Sequence, residues 1–240
     1  MYATLGELIQ SIAGLRPEDF AKKIDHTILK PDATYSDVKR VCDEAIKYGF
    51  AACVVPPCWL KIASRILEGS GVKACTVVAF PLGFEDTDVK IQMVKKALEN
   101  GAEEIDVVMN VSEFKTKRYD SVFSEISKLS EIVHRNGALI KVIIETALLG
   151  EEEIIKAAQL VADAGADFVK TNTGILGKVR PHDVFIIRKA VGDKVKIKAA
   201  GGIRNFVDAA ILIALGADRL GSSSGDKIFE EYMYFRRKNK

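Results

Sequence analysis

Four charged residues interrupt apolar segments between positions 104 and 201 of the sequence. They are Asp106 in EIDVVMN, Lys141 in LIKVIIE, Lys170 in DFVKTNT and Lys198 in VKIKAAGG. If these segments are strands whose outward residues pack under helices, Asp106 and Lys170 point to the interior, because successive side chains of a strand face opposite ways. Burying an unpaired ammonium costs free energy, so these lysines need either ion-pair partners or a chemical role.

Lysines that lie close together favour amine chemistry. A lysine attacks a carbonyl carbon only as the free amine, and its ordinary pKa of about 10.4 leaves very little of that form at neutral pH. A second ammonium about 4 Å away opposes protonation by about 4 kcal/mol at an effective dielectric of about 20, and partial burial acts in the same direction. The alternative interpretation is a structural ion-pair network that fills the interior.

Two segments rich in small residues follow the last two apolar segments. They read AAGGIRN at 199–205 and LGSSSGD at 220–226, and a helix start follows each. Glycine lets the backbone approach an anion closely, and the first turn of a helix offers free N–H groups. In β/α barrels the loops after strands 7 and 8 are a frequent phosphate site. We therefore expect phosphate binding, with ordinary turns and helix caps as the alternative.

A repeated unit must position these residues. A helical stretch ends at a glycine and a short apolar strand follows, as in AIKYGFAACVV at 45–55 and VADAGADFVKTN at 161–172. The glycine is typical of a helix stop, and the continuously apolar strand is typical of a covered parallel sheet. This pattern predicts strands at 24–29, 50–55, 73–79, 104–109, 139–145, 167–172, 195–200 and 218–222. Helical periodicity marks 36–48, 88–99, 119–135, 151–164 and 206–215.

Eight strands that alternate with helices in 240 residues predict the α/β class and a single (β/α)8 TIM barrel. We expect one domain over 1–240, with an N-terminal helical extension at 1–23, helical at 2–12 and 18–23, and the barrel at 24–240. No Gly- or Ser-rich linker divides the sequence. An open doubly wound sheet is the rival architecture, but it usually has fewer strands.

The composition excludes several classes of protein. Hydrophobic residues make up 48% and charged residues 28%, which indicates a packed protein rather than a disordered chain. A net charge of +2 gives no reason to expect nucleic acid or a membrane as partner. The sequence shows no signal peptide or apolar run of spanning length. The four cysteines and three histidines form no metal-binding pattern, so we expect a cytoplasmic protein with reduced thiols and no metal.

The segment FVKTNTG at 168–174 resembles the Schiff-base strand of the deoxyribose-phosphate aldolase family. The segments IDHTILKP (24–31), EIDVVMNV (104–111), KVIIET (141–146), VKIKAAGGIR (195–204) and RLGSSSG (219–225) resemble that family in order and spacing along nearly the whole chain. The resemblance implies a class I aldolase on a β/α barrel, with no metal and no cofactor. Such enzymes reversibly cleave 2-deoxyribose 5-phosphate to glyceraldehyde 3-phosphate and acetaldehyde.

The resemblance also implies roles for the charged residues. Lys170 takes the position of the amine that forms the imine. Lys198 is the second lysine, which keeps the pKa of Lys170 low and helps to move protons. Asp106 is the acid/base partner that acts through a bound water, and Lys141 belongs to the same network.

Other residues take binding positions by the same resemblance. Asp25 and Thr27 on the first strand bind or relay, or else order the mouth of the strand. The residues expected to hold phosphate and substrate are Thr173, Gly174, Gly201, Gly202, Arg204, Gly221, Ser223 and Ser224. The implied partners are a small phosphorylated sugar and acetaldehyde, and the implied assembly is a homo-oligomer, either a dimer or a tetramer.

The sequence departs from the family pattern at three places. Asn172 stands where the family commonly has serine, and the loop ILGKVRP at 175–181 lacks the usual Lys or Gly-rich run. There Lys178 or Arg180 substitutes in gripping phosphate or is simply solvated. The basic segment at 232–240 is expected to fray.

Two alternative functions stay open on these grounds. One is another lysine-dependent barrel aldolase that acts on a different phosphorylated donor. The other is a phosphate-binding barrel without catalysis. The presence of Asp106, Lys170 and Lys198 together disfavours the second, because a pure binding protein has no use for a desolvated pair of amines.

Overall fold

The computed structural model describes residues 4–238, which form a closed parallel barrel with strands in the order β1 to β8. The strands are β1 (Ile24–Thr27), β2 (Ala52–Val55), β3 (Lys73–Val78), β4 (Glu104–Val108), β5 (Leu139–Ile143), β6 (Phe168–Lys170), β7 (Lys196–Ala200) and β8 (Arg219–Ser222). β1 pairs with β8 and closes the ring, with Asp25 in register with Gly221. The TIM-barrel prediction is confirmed and the open sheet is excluded.

Among residues 4–238, two helices precede the barrel and nine others follow its strands. They are α1 (Leu5–Ala13), α2 (Pro17–Ala21), α3 (Tyr35–Tyr48), α4 (Leu60–Leu67), α5 (Thr87–Glu99), α6 (Val111–Lys115), α7 (Tyr119–Arg135), α8 (Glu151–Asp163), α9 (Pro181–Val191), α10 (Phe206–Ala214) and α11 (Gly225–Lys238). α3 shows why such boundaries are readable, since a capping box of Thr34 and Asp37 starts it and Gly49 ends it in the left-handed conformation. The predicted helices end within two residues of the observed ones, apart from positions 2 and 3, which lie outside the described residues.

The hydrophobic core lies between the barrel wall and the helices. Outward residues of the strands, such as Val107, Val142 and Val169, are buried in this layer. Inside the barrel, β2 and β3 contribute a smaller apolar cluster of Ala52, Val54, Cys75 and Val77. On β4 to β7 the inward face carries charged residues, such as Asp106 and Lys170, together with apolar ones, such as Phe168.

The C-terminal segment is helical, so the prediction that 232–240 frays is wrong as far as Lys238. Tyr232 is fully buried, and its ring stacks on Phe20 with 4.1 Å between the centroids. Arg236 donates to the backbone oxygen of Gly14 at 3.0 Å. The basic residues of the segment suggested exposure to solvent, but its apolar face packs against the N-terminal helices. Residues 239–240 lie outside the described part of the chain.

The cysteines form no disulfide bonds, and the described side chains form no candidate metal site. Cys42, Cys53, Cys58 and Cys75 are free thiols. Residues 4–238 contain no group of three or more His, Cys, Asp or Glu side chains arranged to hold a metal ion. Over the same residues, every helix is too short or too polar to cross a membrane.

Candidate active site

The structure places the four charged residues found in the sequence together inside the barrel. The strand register aligns Asp106 on β4 with Lys141 on β5, and Lys170 on β6 with Lys198 on β7. Each of the four side chains is at most 3% exposed. Their position follows from strand alternation, because the intervening residues face outward into the hydrophobic core.

Asp106 is the centre of the cluster. Its Oδ2 accepts hydrogen bonds from Lys170 Nζ and Lys198 Nζ, both at 2.7 Å. Its Oδ1 accepts a hydrogen bond from Lys141 Nζ at 2.9 Å. One carboxylate thus contacts three lysines, and its contact with Lys170 is direct.

Three further charged residues complete the cluster around Asp106, namely Asp25, Glu104 and Arg219. Asp25 Oδ2 lies 2.6 Å from Lys198 Nζ, and Glu104 Oε2 lies 2.6 Å from Lys141 Nζ. Arg219 bridges the two carboxylates, donating from Nε to Asp25 Oδ1 at 2.6 Å and from Nη2 to Glu104 Oε2 at 3.1 Å. Asp25, expected to bind or relay or else to order the mouth of its strand, lies fully buried inside this network.

The sequence analysis missed Glu104 and Arg219. The signal for Glu104 was present, because it stands two residues before Asp106 and therefore faces the same side of β4. Arg219 stands two residues before Gly221 on β8, so the same alternation places these two residues on one side of that strand. Thr27 orders the end of β1, where its Oγ1 donates to the backbone oxygen of Asp25 at 3.0 Å.

The charges of the cluster do not balance when every lysine is protonated. Its cations are Lys141, Lys170, Lys198 and Arg219, and its carboxylates are Asp25, Glu104 and Asp106. A buried site penalises excess charge, and an arginine keeps its proton, so one lysine must become neutral for the cluster to balance. Among the ion pairs of residues 4–238, Lys141 and Lys198 each contact at least two carboxylates, whereas Lys170 contacts only Asp106.

The pKa shifts identify the same lysine. Burial, together with the nearby ammonium of Lys198, lowers the pKa of Lys170 in spite of the opposing effect of Asp106. Burial also opposes the charged forms of Lys141 and Lys198, but there the carboxylates outweigh it and raise the pKa. Burial alone would raise the pKa of Asp106, yet the three lysines hold it well below its usual range. The cluster therefore favours a free amine on Lys170 beside an ionised carboxylate.

Cys75 is a further member that the sequence analysis did not place in the site. Its Sγ lies 3.5 Å from Asp106 Oδ1 and 3.4 Å from Lys141 Nζ. Burial raises the pKa of this thiol to about 12, and Asp106 acts in the same direction. Cys75 therefore stays protonated and adds no charge to the cluster.

Glycines bring the loops after β6 and β7 into close contact. A Cβ added at Gly174 would lie 3.3 Å from Gly201 Cα, and one added at Gly201 would lie 2.9 Å from the backbone oxygen of Gly177. Gly174 and Gly201 also have positive φ angles. On β8, a Cβ at Gly221 would lie 3.1 Å from Lys198 Cε, so glycine there leaves room for that lysine.

The start of α10 differs from the prediction of a free anion-binding helix end. The backbone N–H of Phe206 donates to Glu231 Oε2 at 2.7 Å, and that of Asp208 donates to Asn205 Oδ1 at 2.9 Å. These donors are therefore occupied by side chains of the protein. Arg204 is exposed at the same rim.

The loop after β8 is held by its serines. Ser222 Oγ donates to the backbone oxygen of Ile203 at 2.7 Å and accepts from Ser224 N at 2.9 Å. Ser223 is exposed, and α11 begins two residues later at Gly225. These contacts join the loops after β7 and β8, with the Ser223 hydroxyl facing solvent.

The loop after β6 carries two basic residues with different surroundings. Arg180 donates from Nε to Asp183 Oδ1 at 2.9 Å, so its guanidinium is held at the start of α9. Lys178 is exposed, and its Cγ would lie 2.8 Å from a Cβ added at Gly202. Of these two, Lys178 is the cation that lies over the glycine loop.

A surface groove of about 300 Å³ lies outside the barrel between α7, α8 and α9. Tyr119, Lys156 and Lys194 line part of it, and Lys156 Nζ lies 5.3 Å from the centroid of the Tyr119 ring. None of the site residues expected from the sequence lines this groove. The reactive groups converge instead inside the barrel.

Comparisons with known proteins show what the whole chain is similar to. Residues 20–231 match the model of a family described as DeoC/LacD family aldolase. The chain is 46% identical over 216 residues to the deoxyribose-phosphate aldolase of Caldanaerobacter subterraneus subsp. tengcongensis, covering 89% of this chain and 94% of that protein. It is 48% identical over 215 residues to the deoxyribose-phosphate aldolase of Thermococcus gammatolerans, covering 88% and 96%. A solved structure described as a unique tetrameric deoxyribose phosphate aldolase from Aeropyrum pernix superposes with a TM-score of 0.88 at 35% identity, covering 96% and 98%.

Proposed function

The chain belongs to the DeoC/LacD family of aldolases, and we propose that it reversibly cleaves 2-deoxyribose 5-phosphate to glyceraldehyde 3-phosphate and acetaldehyde through an imine on Lys170. The family resemblance expected from the sequence motifs is confirmed. The observation that carries the role of Lys170 is its single carboxylate contact in a buried cluster with one excess cation. A neutral amine at this position is the nucleophile that a class I aldolase needs.

In the synthetic direction, the amine of Lys170 adds to the carbonyl carbon of acetaldehyde, the Lys198 ammonium gives a proton to the resulting hydroxyl group, and water leaves to form a cationic imine. The imine withdraws electrons from the adjacent methyl group, so Asp106 with Lys198 can remove a proton and leave an enamine. The enamine carbon then bonds to the aldehyde carbon of glyceraldehyde 3-phosphate, whose oxygen takes up the proton. Water hydrolyses the new imine, releases the sugar phosphate and restores the amine.

The glycine and serine loops supply the phosphate site in this proposal. Gly174 and Gly201 approach each other in the loops after β6 and β7, and Ser223 precedes the start of α11. An anion held there gains from backbone N–H groups and from the helix end. Anchoring the phosphate fixes the acceptor aldehyde near the enamine carbon and so supplies orientation.

The two alternative functions receive less support. A different phosphorylated donor rested partly on Asn172, but the side-chain amide of Asn172 binds Thr146 and the backbone N–H of Ala147. A barrel that only binds phosphate has no need of an excess positive charge in its buried interior, because burying that charge costs free energy. Because the loop at 175–181 departs from the family pattern, the range of acceptor aldehydes stays a prediction.

Assembly and location follow as proposals of the same kind. We propose a homo-oligomer, supported by the relative from Aeropyrum pernix that is described as tetrameric. Light scattering on the purified chain measures this directly. A cytoplasmic location, and the absence of nucleic acid and membrane partners, stay predictions from the charge and cysteine content.

Imine trapping tests the proposed function. The protein is incubated with acetaldehyde, reduced with borohydride and mapped by peptide mass spectrometry. We expect a two-carbon adduct at Lys170 that is absent from unfolded protein. Lys90 is a built-in control, because it is fully buried but lies 2.7 Å from its partner Glu125 outside the cluster. No adduct at Lys170, or equal labelling of Lys90, would show that the cluster is structural.

A further inference from the structure

Two side chains join the loops after β5 and β6 in a reciprocal manner. Glu145 Oε2 accepts a hydrogen bond from the backbone N–H of Thr173 at 2.9 Å. Asn172 Oδ1 accepts one from the backbone N–H of Ala147 at 3.0 Å. Each side chain thus binds the loop that carries the other, and we call this pair of contacts the 145/172 clasp.

Glu145 occupies its position at an energetic cost. Its φ angle is 53°, in the left-handed region, which is unfavourable for a residue other than glycine. Its side chain is 1% exposed, and Oε1 has no hydrogen-bond partner among the described residues. Such strain persists where the surrounding structure fixes it, and it concentrates at functional sites. A hydrophobic core contact would need neither the carboxylate nor this backbone conformation.

Asn172 extends the clasp to the helix that follows. It is fully buried, and its Nδ2 donates to Thr146 Oγ1 at 2.9 Å. Thr146 Oγ1 in turn lies 2.9 Å from Asp183 Oδ2 at the start of α9. The loop after β6 is therefore held at one end by the loop after β5 and at the other by α9.

The clasp adjoins both parts of the proposed site. Lys170 is the last residue of β6, two positions before Asn172. Gly174 directly follows Thr173 and lies against Gly201. A change in the direction of the Thr173 amide therefore moves Gly174 relative to the glycine loop after β7, while Lys170 stays fixed in the barrel wall.

We propose that the 145/172 clasp positions the Thr173–Gly174 loop for the phosphate of the substrate. Glu145 and Asn172 are then positioning residues that favour phosphorylated over unphosphorylated substrates. Both of them act through the backbone of the loop, and Lys170 performs the chemistry independently of them. The inference rests on the proposed function, since it assumes that the imine forms on Lys170.

The test compares 2-deoxyribose 5-phosphate with unphosphorylated 2-deoxyribose in Glu145→Asn and Asn172→Ala. Asparagine tolerates the left-handed conformation but is too short to reach the Thr173 N–H, so the backbone of the variant is not further strained. We expect KM for the phosphorylated sugar to rise about tenfold, the usual effect of losing a hydrogen bond to a charged group, with kcat changed less than about twofold. The kcat/KM for 2-deoxyribose should stay within about twofold, since its reaction does not use the loop.

Three controls sharpen the comparison. Glu145→Gln keeps an oxygen for the Thr173 N–H, so KM should stay near the wild-type value. Glu153→Gln removes a carboxylate that caps the nearby helix α8 through the Gly150 N–H at 2.8 Å, and it should leave substrate preference unchanged. The double variant of Glu145 and Asn172 should be no worse than the worse single variant, because either loss opens the same loop.

Equal losses on both substrates, or additive effects in the double variant, would overturn the proposal. Hydrogen exchange of the wild-type protein gives a measurement that does not depend on any variant folding. The Thr173 amide should be strongly protected, and rapid exchange there would contradict the clasp. Imine trapping on the wild type separates the two ideas. No adduct at Lys170 overturns the proposed function, whereas an adduct with unchanged substrate preference in the variants overturns the clasp alone.

Discussion

Replacing Lys198 by methionine tests whether its ammonium keeps Lys170 free of a proton. Both Nζ atoms lie 2.7 Å from the same atom, Asp106 Oδ2, so they are separated by no more than twice that distance. At about 5.4 Å and an effective dielectric of about 20, two ammonium groups repel by about 3 kcal/mol. Since about 1.4 kcal/mol corresponds to a tenfold change, this repulsion alters the protonation equilibrium about a hundredfold.

The sign of the effect follows from the charges that remain. Without Lys198, the three carboxylates of the cluster are balanced when Lys170 carries its proton. The pKa of Lys170 therefore rises, and the fraction of free amine at neutral pH falls. We expect the rate of imine formation at pH 7 to fall about a hundredfold and to recover as the pH is raised.

The assay is the initial rate of the borohydride-trapped acetaldehyde adduct at Lys170, measured across a range of pH. Trapping is preferred to turnover because it reports imine formation without the later proton transfers that also involve Lys198. The matched control is Lys196→Met, which removes an exposed lysine from the same strand. A pH profile that keeps its wild-type position, with the rate lowered equally at every pH, would refute the electrostatic role of Lys198.

Three further predictions follow from the same cluster. Lys170→Met should abolish turnover and trapping while leaving the thermal unfolding temperature at or above the wild-type value, because the remaining charges balance; retained turnover or a clear loss of stability would contradict this. Asp25→Asn should lower the free energy of unfolding in urea by about 3–5 kcal/mol, since it leaves Lys198 and Arg219 short of a buried partner, and an unchanged midpoint would argue against the network. Dialysis against EDTA should leave kcat/KM within about twofold, because an amine and a carboxylate carry every step proposed; metal-dependent activity would point to a different mechanism.

Local patterns in the sequence were enough to predict the barrel. A glycine that ends a helix is repeatedly followed, two or three residues later, by a short apolar strand, and each feature has a local physical cause. The limits of α7 at 119–135 were predicted without error for this reason. The inward direction of Asp106 and Lys170 could likewise be read from strand alternation alone.

Contacts between distant segments explain what the sequence did not reveal. Glu104 and Arg219 meet across the barrel, and each begins a strand, where a charged residue is usually solvated. The backbone N–H of Phe206 is occupied by Glu231 from α11, so the start of α10 is not the open anion site that its sequence suggests. Strand alternation could place Glu104 on the same face as Asp106, but its pairing with Arg219 and the contact of Glu231 with Phe206 depend on how distant strands and helices pack.

In the proposed mechanism, the charges at the strand starts determine which lysine reacts. Glu104 and Arg219 contribute one charge of each sign, so they do not change the net charge of the cluster. Their effect is to place carboxylates beside two particular lysines. Glu104 contacts Lys141 at 2.6 Å, and Arg219 holds Asp25 against Lys198. Both of these lysines gain carboxylate contacts that stabilise their protons. The excess positive charge is therefore relieved at Lys170, which lies at the carboxyl end of its strand, where the loops of a β/α barrel admit substrate.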